Sequence, residues 1–165
     1  MNLPCIDNHI LIWGVRQKAT PGQEPMIVKA TSFSSKLSEQ KTKVMIPAVV
    51  VGEFLVGIGA ENIQAVFEAL SKSFMIVPYD LAAAACAAKI RRALKLDDLK
   101  AEFLDLRRCE ITADCQILAT AITRNASVLY THDKKLIGMA KMAKVGIEVC
   151  NIPDQSLQSV MILER

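Results

Sequence analysis

The segment CIDNHILIWG, residues 5–14, places a single carboxylate, Asp7, between an apolar stretch with strand character and an apolar helix. Burying an unpaired carboxylate is costly, so such a residue is normally hydrogen-bonded, paired with a cation or bound to a metal, or lies where a strand opens onto a cleft. The rest of the chain must therefore supply partners for Asp7.

Working outward from this segment, short apolar runs rich in β-branched residues alternate with longer segments of helical spacing. The runs are LPCID (3–7), KVMIP (43–47), FMIVP (74–78), SVLYT (127–131) and GIEVC (146–150). This alternation predicts the α/β class, with a parallel sheet covered by helices, because an all-β chain would show turn signals at much shorter intervals.

Two helices can be placed from local signals. In AVVVGEFLVGI, residues 48–58, three consecutive valines would suit a strand, but Pro47 favours a helix that begins directly after it. The alanine-rich segment DLAAAACAAKIRRALKL, residues 80–96, is the most secure helix, and Asp80 is placed to cap it.

The chain has 165 residues, 52% of them hydrophobic, which suits one domain with a well-buried core. We expect that domain to span residues 1–152, followed by a loosely packed C-terminal tail, residues 153–165. No apolar run approaches the roughly 18 residues of a membrane-spanning helix, and the N-terminus lacks a signal-peptide pattern. Five scattered cysteines indicate reduced thiols, so we predict a cytoplasmic protein without a membrane partner.

Four acidic residues share one topological position. Asp7 follows the first strand and Asp133 the fourth, while Glu53 and Asp114 are expected near helix N-termini, Asp114 in a first turn capped by Thr112. In open α/β sheets this edge is where ligand clefts form. Four carboxylates in contact would repel one another unless a divalent cation neutralised them, and oxygen ligands suit Mg²⁺ or Mn²⁺.

Such a site predicts phosphodiester hydrolysis, in which a bound metal generates hydroxide and neutralises charge on the phosphate. The competing interpretation is that acids at helix N-termini are stabilised by the helix dipole without any function.

At this point four ordered segments resemble the acidic motifs of PIN-domain ribonucleases, especially VapC-type toxins. They are IDNHILIW (6–13), IPAVVVGEFLVG (46–57), ADCQILATAI (113–122) and VLYTHDKKL (128–136), within a resemblance that covers roughly residues 3–150. The resemblance implies a PIN-like three-layer fold with a roughly five-stranded parallel sheet, a Mg²⁺ or Mn²⁺ site at its carboxyl edge, and endonucleolytic cleavage of RNA.

The resemblance also assigns roles. Asp7, Glu53 and Asp114 are expected to coordinate a metal directly or through water, Asp133 to complete the site, and Thr131 to hydrogen-bond a ligand. The expected partners are RNA, a cognate antitoxin protein and a second copy of the chain in a homodimer. Asn8 stands where many family members carry Thr or Ser, and the segment from residue 16 to residue 42 is long.

Basic residues near the acidic motifs are candidates for binding the substrate. The formal net charge of +3 permits but does not demonstrate binding to a polyanion. Arg91 and Arg92 end the alanine-rich helix, and Arg107 and Arg108 shortly precede Asp114. We expect these four arginines to contact phosphates, with a solvated helix face as the equally weighted alternative.

Three aromatic or imidazole side chains lie close to these motifs in sequence. His9 would share a face with Asp7 if both were in a strand, and we favour a hydrogen-bonded structural role for it over proton transfer. Trp13 is expected to pack in the core or an interface rather than to stack on a base. His132 is expected to be exposed.

Other functions use acids at strand ends too. A PIN-like scaffold that binds nucleic acid or protein without turnover fits the same sequence. Phosphatases of the haloacid class need a second aspartate two residues after the first, where this chain has His9, and receiver domains need an acceptor aspartate that the middle strands lack. Metal-dependent RNA hydrolysis is therefore the leading hypothesis.

Overall fold

Five short strands form one parallel sheet in the computed structural model, which describes residues 3–154. The strand order is β3-β2-β1-β4-β5, and all four pairings are parallel. The strands are β1 (Pro4–Ile6), β2 (Met45–Pro47), β3 (Met75–Val77), β4 (Val128–Tyr130) and β5 (Glu148–Cys150). The predicted α/β class and five-stranded parallel sheet are confirmed.

Helices connect every pair of consecutive strands. They are α1 (Asn8–Leu11), which continues into a π-helical turn (Ile12–Arg16), α2 (Glu24–Glu39), α3 (Ala48–Val56), α4 (Ile63–Ser73), α5 (Leu81–Ala93), α6 (Leu96–Glu102), α7 (Arg108–Thr123) and α8 (Lys134–Met142). The helices predicted after Pro47 and Asp80 are both present, and the Asp80 side chain accepts a hydrogen bond from the Ala83 amide at 3.0 Å.

The strand order reverses at β1, and this reversal positions the candidate site. Successive connections move from β1 outward to β3, and the chain then returns to β4 on the other side of β1 and continues to β5. Since such crossovers are almost always right-handed, the two directions place helices on opposite faces of the sheet. The carboxyl ends of β1 and β4 therefore border the crevice in which doubly wound sheets bind ligands.

Helix α7 begins earlier than the sequence predicted. Its first residue is Arg108, and the Arg107 amide donates to Oε2 of Glu110 at 3.1 Å, which closes a capping box. The Thr112 hydroxyl donates to the Arg108 carbonyl at 3.0 Å inside the helix, so the prediction of Thr112 as the N-cap is wrong. Asp114 consequently lies in the second turn, where the helix dipole offers a carboxylate little stabilisation.

The hydrophobic core surrounds the sheet and includes Trp13, which is 1% exposed, as its sequence context predicted. The last residue of the predicted domain, Ile152, is 1% exposed, and Lys29 on α2 forms a 2.6 Å ion pair with Asp154, the second residue of the predicted tail. Burial of one apolar side chain anchors this end of the described chain. The rest of the predicted tail, residues 155–165, lies outside the described residues.

All five cysteines carry free thiols, and burial raises the pKa of Cys115 and of Cys150 to about 11. None of the helices in residues 3–154 combines the length and the apolar character needed to cross a bilayer.

Candidate active site

The four acids singled out in the sequence line one cavity of about 160 Å³ at the carboxyl edge of the sheet. Asp7 comes from the end of β1, Glu53 from α3, Asp114 from α7 and Asp133 from the turn that precedes α8. The remaining lining residues are Asn8, His9, Glu110, Ala113, Ile117 and Lys135. Residues widely separated in sequence thus bring four carboxylates to one point at the reversal of strand order.

Asp7 is buried, with 5% of its surface exposed, and both carboxylate oxygens are engaged. Oδ1 accepts a 2.7 Å hydrogen bond from the Asn8 amide, which makes Asp7 the N-cap of α1. Oδ2 accepts a 2.7 Å hydrogen bond from the Thr131 hydroxyl. The costly burial of this carboxylate is therefore compensated by two donors, while each oxygen keeps a lone pair directed elsewhere.

Thr131 connects two of the acids from beneath the cavity. Its side chain is fully buried, and its hydroxyl oxygen accepts a 3.0 Å hydrogen bond from the Asp133 amide while its proton goes to Asp7. Oδ1 of Asp133 in turn accepts from the Lys135 amide at 2.7 Å, which caps α8. A continuous hydrogen-bonded chain thus fixes the ends of β1 and β4 relative to each other.

The pKa values of Asp114 and Glu53 are both raised, as is expected of carboxyl groups that lie close to other acids. Burial, followed by the charges of Asp133, Asp7 and Glu53, raises the pKa of Asp114 to about 8. Partial burial and the charge of Asp7 also raise the pKa of Glu53. Because both shifts favour the neutral form, the cavity resists further negative charge and favours binding of a cation.

Glu110 is a fifth acid at this site that the sequence reasoning missed. Its Oε1 accepts hydrogen bonds from the Arg107 guanidinium at 2.9 and 3.2 Å, and its Oε2 lies 3.2 Å from Nζ of Lys135. The Arg107 amide and side chain are the main cause that lowers the pKa of Glu110 to about 2. Its spacing in the sequence could have identified it, because Glu110 precedes Asp114 by about one helical turn and therefore lies on the same face of the helix.

The family model of the PIN domain matches residues 5–142. The chain belongs to the PIN domain family. No curated protein shows significant sequence similarity to it.

Solved structures share the fold of this PIN domain at low sequence identity. The VapBC2 complex of Rickettsia felis bound to a promoter DNA fragment matches with a TM-score of 0.58 and 14% identity, covering 92% of this chain and 99% of that chain. DNA-bound VapBC from Salmonella typhimurium matches with a TM-score of 0.54 and 16% identity, covering 93% and 100%. VapBC-1 from nontypeable Haemophilus influenzae matches with a TM-score of 0.58 and 14% identity, covering 90% and 97%.

The side-chain rings of His9, Trp13 and His132 pack together next to the acids of the PIN domain. His9 belongs to α1 rather than to a strand, because the strand ends at Ile6, so the predicted shared strand face with Asp7 does not exist. Its Nδ1 is buried 3.8 Å from Oδ2 of Asp7, too far for the hydrogen bond expected of a structural histidine. The neighbouring carboxylate of Asp7 nevertheless raises the pKa of His9.

Trp13 packs between the two histidines, with ring centroids 5.6 Å from His9 and 5.0 Å from His132. His132 was expected to be exposed, but it is partly buried and its Nδ1 lies 3.0 Å from Nδ2 of Asn151. Since the amide nitrogen can only donate, Nδ1 is the acceptor of this hydrogen bond. These contacts hold the segment that carries Thr131 and Asp133 against α1.

The donor set fits a hard divalent cation in its chemistry. Five carboxylates line the cavity against one lysine, and carboxylate oxygens are the ligands that Mg²⁺ and Mn²⁺ prefer. Within residues 3–154, no three acidic, histidine or cysteine side chains stand close enough to form a ready metal cluster. Small side-chain rotations, such as that of Glu53, whose surface is partly exposed at the cavity, would have to accompany binding.

The four predicted substrate-binding arginines lie outside this cavity. Arg107 is held by Glu110 at its rim, and Arg108 is exposed at the start of α7. Arg91 lines a separate cleft between α5 and α7 together with Thr112, and Arg92 is exposed. Of the four, only Arg107 contacts a residue that lines the acidic cavity, and none of them lines it.

Proposed function

We propose that this PIN-domain protein is a metal-dependent endoribonuclease that acts as the toxin of a toxin-antitoxin pair. The observation that supports it most is the convergence of Asp7, Glu53, Asp114 and Asp133 on one cavity, with Asp114 buried in the middle of a helix. Burial and the charges of four other acids raise the pKa of Asp114, and perturbed acids in a cleft are typical of functional sites.

In this proposal Asp7, Glu53, Asp114 and Asp133 hold Mg²⁺ or Mn²⁺, directly or through water. When bound, such a metal supplies a hydroxide nucleophile at neutral pH and neutralises charge on the phosphate. The protein's own contribution is orientation. Thr131 fixes the Asp7 carboxylate by donating to Oδ2, and its accepted hydrogen bond from the Asp133 amide sets the position of the second acid.

The proposed substrate is single-stranded or loop RNA, whose unstacked bases and pliable backbone can enter a narrow cleft. A cavity lined by carboxylates repels a polyanion, so cations outside it must hold the strand. Arg91, Arg92, Arg107 and Arg108 are proposed for that task. Each neutralised phosphate would make binding more sensitive to salt.

The proposed partner is an antitoxin protein, and several large apolar side chains on the helices are exposed. Val28 on α2 is 69% exposed and Val56 at the end of α3 is 87% exposed, and Phe67 on α4 is half-exposed. Burial of such side chains against a partner would be favourable, because it removes apolar surface from water. The structural neighbours are VapBC complexes, which agrees with such a partner, and the homodimer expected from the sequence remains part of the proposal.

The test is incubation of the purified protein with a panel of structured and unstructured RNAs. We expect discrete fragments in Mn²⁺ or Mg²⁺ that EDTA abolishes, and inhibition of this cleavage by an antitoxin that binds the chain. If metal binds but no RNA in the panel is cut, the non-catalytic scaffold is the better description. Fragments that persist in EDTA would indicate a contaminating nuclease.

A further inference from the structure

Lys135 is the one lysine or arginine among the residues that line the acidic cavity, so far as residues 3–154 are concerned. It lies in the first turn of α8, directly after Asp133, and its side chain is 31% exposed. Its neighbour Lys134 is exposed and does not line the cavity. The chain therefore offers two adjacent lysines, of which one faces five carboxylates.

The Lys135 ammonium is only partly used by the protein. It has three donors, and the single contact found for Nζ within the described chain is the one to Oε2 of Glu110, at 3.2 Å. Glu110 does not need that contact for its charge, because the Arg107 guanidinium holds its Oε1 through two hydrogen bonds. Two Lys135 donors thus remain free at the rim of the cavity.

Both ends of Lys135 are fixed. Its backbone amide donates to Oδ1 of Asp133 at 2.7 Å, and its ammonium is tied to Glu110, which is itself anchored by Arg107. A lysine held in this way has already lost much of its rotamer freedom, so a further contact costs little conformational entropy. Lysine is a common phosphate binder because its ammonium is a compact point charge.

We propose that Lys135, positioned by Glu110, directly contacts a phosphate of the nucleic acid bound at the cavity. This inference rests on the proposed function, because it names the residue that holds the substrate at that same site. It gives Lys135 a role distinct from the four arginines, which track the strand outside the cavity. Glu110 acts as a positioning residue in this arrangement.

The test compares Lys135→Met with the matched control Lys134→Met, which removes the same charge from the same helix. Binding of a short labelled single-stranded RNA that the wild type cuts is measured in Ca²⁺ over a range of salt concentrations. One lost phosphate contact lowers the slope of log K against log salt by about 0.7 for a single strand. We expect that change, with affinity reduced about tenfold, for Lys135→Met and neither effect for Lys134→Met.

Lys135→Arg keeps the charge and should restore most of the slope, and thermal melts of all variants show whether each one folds. Equal effects of the two Met substitutions would overturn the inference, since they would then reflect only the loss of one positive charge from α8 and not a specific contact. A Lys135→Met protein that is less stable without metal but has an unchanged slope would also overturn it, because Lys135 would then be only a counter-ion. If the wild type neither binds nor cuts RNA, the proposed function fails with it; if the wild type does both and Lys135→Met matches it, this inference alone fails.

Discussion

The Thr131 hydroxyl donates a 2.7 Å hydrogen bond to Oδ2 of Asp7, joining the carboxyl ends of the adjacent strands β4 and β1. The same oxygen accepts from the Asp133 amide at 3.0 Å, so one buried side chain orients two acids. A threonine at this position therefore determines the geometry of the site without itself lining the cavity.

Thr131→Val should destabilise the protein by about 1–3 kcal/mol, because it leaves a buried carboxylate oxygen and a partly buried amide without their hydrogen-bond partner. Metal affinity should fall about 10- to 100-fold, as is usual when a residue that holds a metal ligand is lost. Urea denaturation and Mn²⁺ titration measure the two effects. Thr131→Ser should stay close to the wild type, and Thr112→Val on the exposed face of α7 is the matched control. A Thr131→Val protein with unchanged metal affinity would contradict the assigned role.

The metal-free protein should lose stability as the pH rises from about 4 to about 8. The pKa of Asp114 is about 8 in the folded protein, whereas a carboxyl in the unfolded chain ionises near pH 4. The folded state binds this proton more tightly, so its contribution is complete below the unfolded pKa and disappears as the pH passes through the folded one. Urea midpoints in EDTA across this range measure the slope.

Asp114→Asn should flatten that pH dependence and leave the metal-free protein as stable as the wild type or more so. The exposed Asp97→Asn on α6 keeps the wild-type profile as a control. A loss of more than about 1 kcal/mol in Asp114→Asn would instead assign the carboxylate a structural role.

Mg²⁺ or Mn²⁺ should raise the melting temperature, because a ligand that binds only the folded state stabilises it by RT ln(1 + [L]/Kd). The shift should shrink in Asp7→Asn and remain in Asp97→Asn, and Ca²⁺ should bind without supporting cleavage. Scanning calorimetry at increasing metal concentration decides the matter. Identical melting temperatures with and without saturating metal would exclude a site.

Arg108→Glu should raise KM for RNA cleavage and leave kcat nearly unchanged, since the arginine is exposed outside the cavity and acts on the strand rather than on the reacting phosphate. Arg108 is preferred to Arg107 for this test, because reversing the charge of Arg107 would also release Glu110. Steady-state kinetics on one RNA measure both constants. A fall in kcat at constant KM would contradict this prediction and indicate that Arg108 acts in the chemical step.

The sequence predicted what depends on strand ends. Asp7 and Asp133 follow apolar runs that must be strands, and the carboxyl ends of parallel strands meet at one edge, so their convergence follows from the pattern. Thr131 precedes Asp133 in the same run and was identified through the family motif. The alternation of strands and helices was thus enough to predict that Asp7 and Asp133 lie at the same edge of the sheet.

The sequence was less informative where side-chain competition decides the local structure. Thr112 and Arg107 were both available to begin α7, and the capping box of Arg107 with Glu110 determined the outcome. The position of Glu110 and of Lys135 in the cavity depends on that choice and on the rotation of two helices, which periodicity does not give to within one residue. Likewise, His9 lies in a helix and not in the strand, because Asp7 caps a helix that begins at Asn8.

The central claim is that the four acids hold a metal for cleavage of RNA, and its most direct test is the single-turnover rate on one RNA substrate in saturating Mn²⁺. We compare the wild type with Asp114→Asn and with the control Asp97→Asn. Loss of an acid that faces the metal should lower the rate by more than about 100-fold, beyond the effect of losing a residue that only holds a ligand in place. The control should cut at the wild-type rate. An Asp114→Asn protein that cuts RNA as fast as the control would contradict the account.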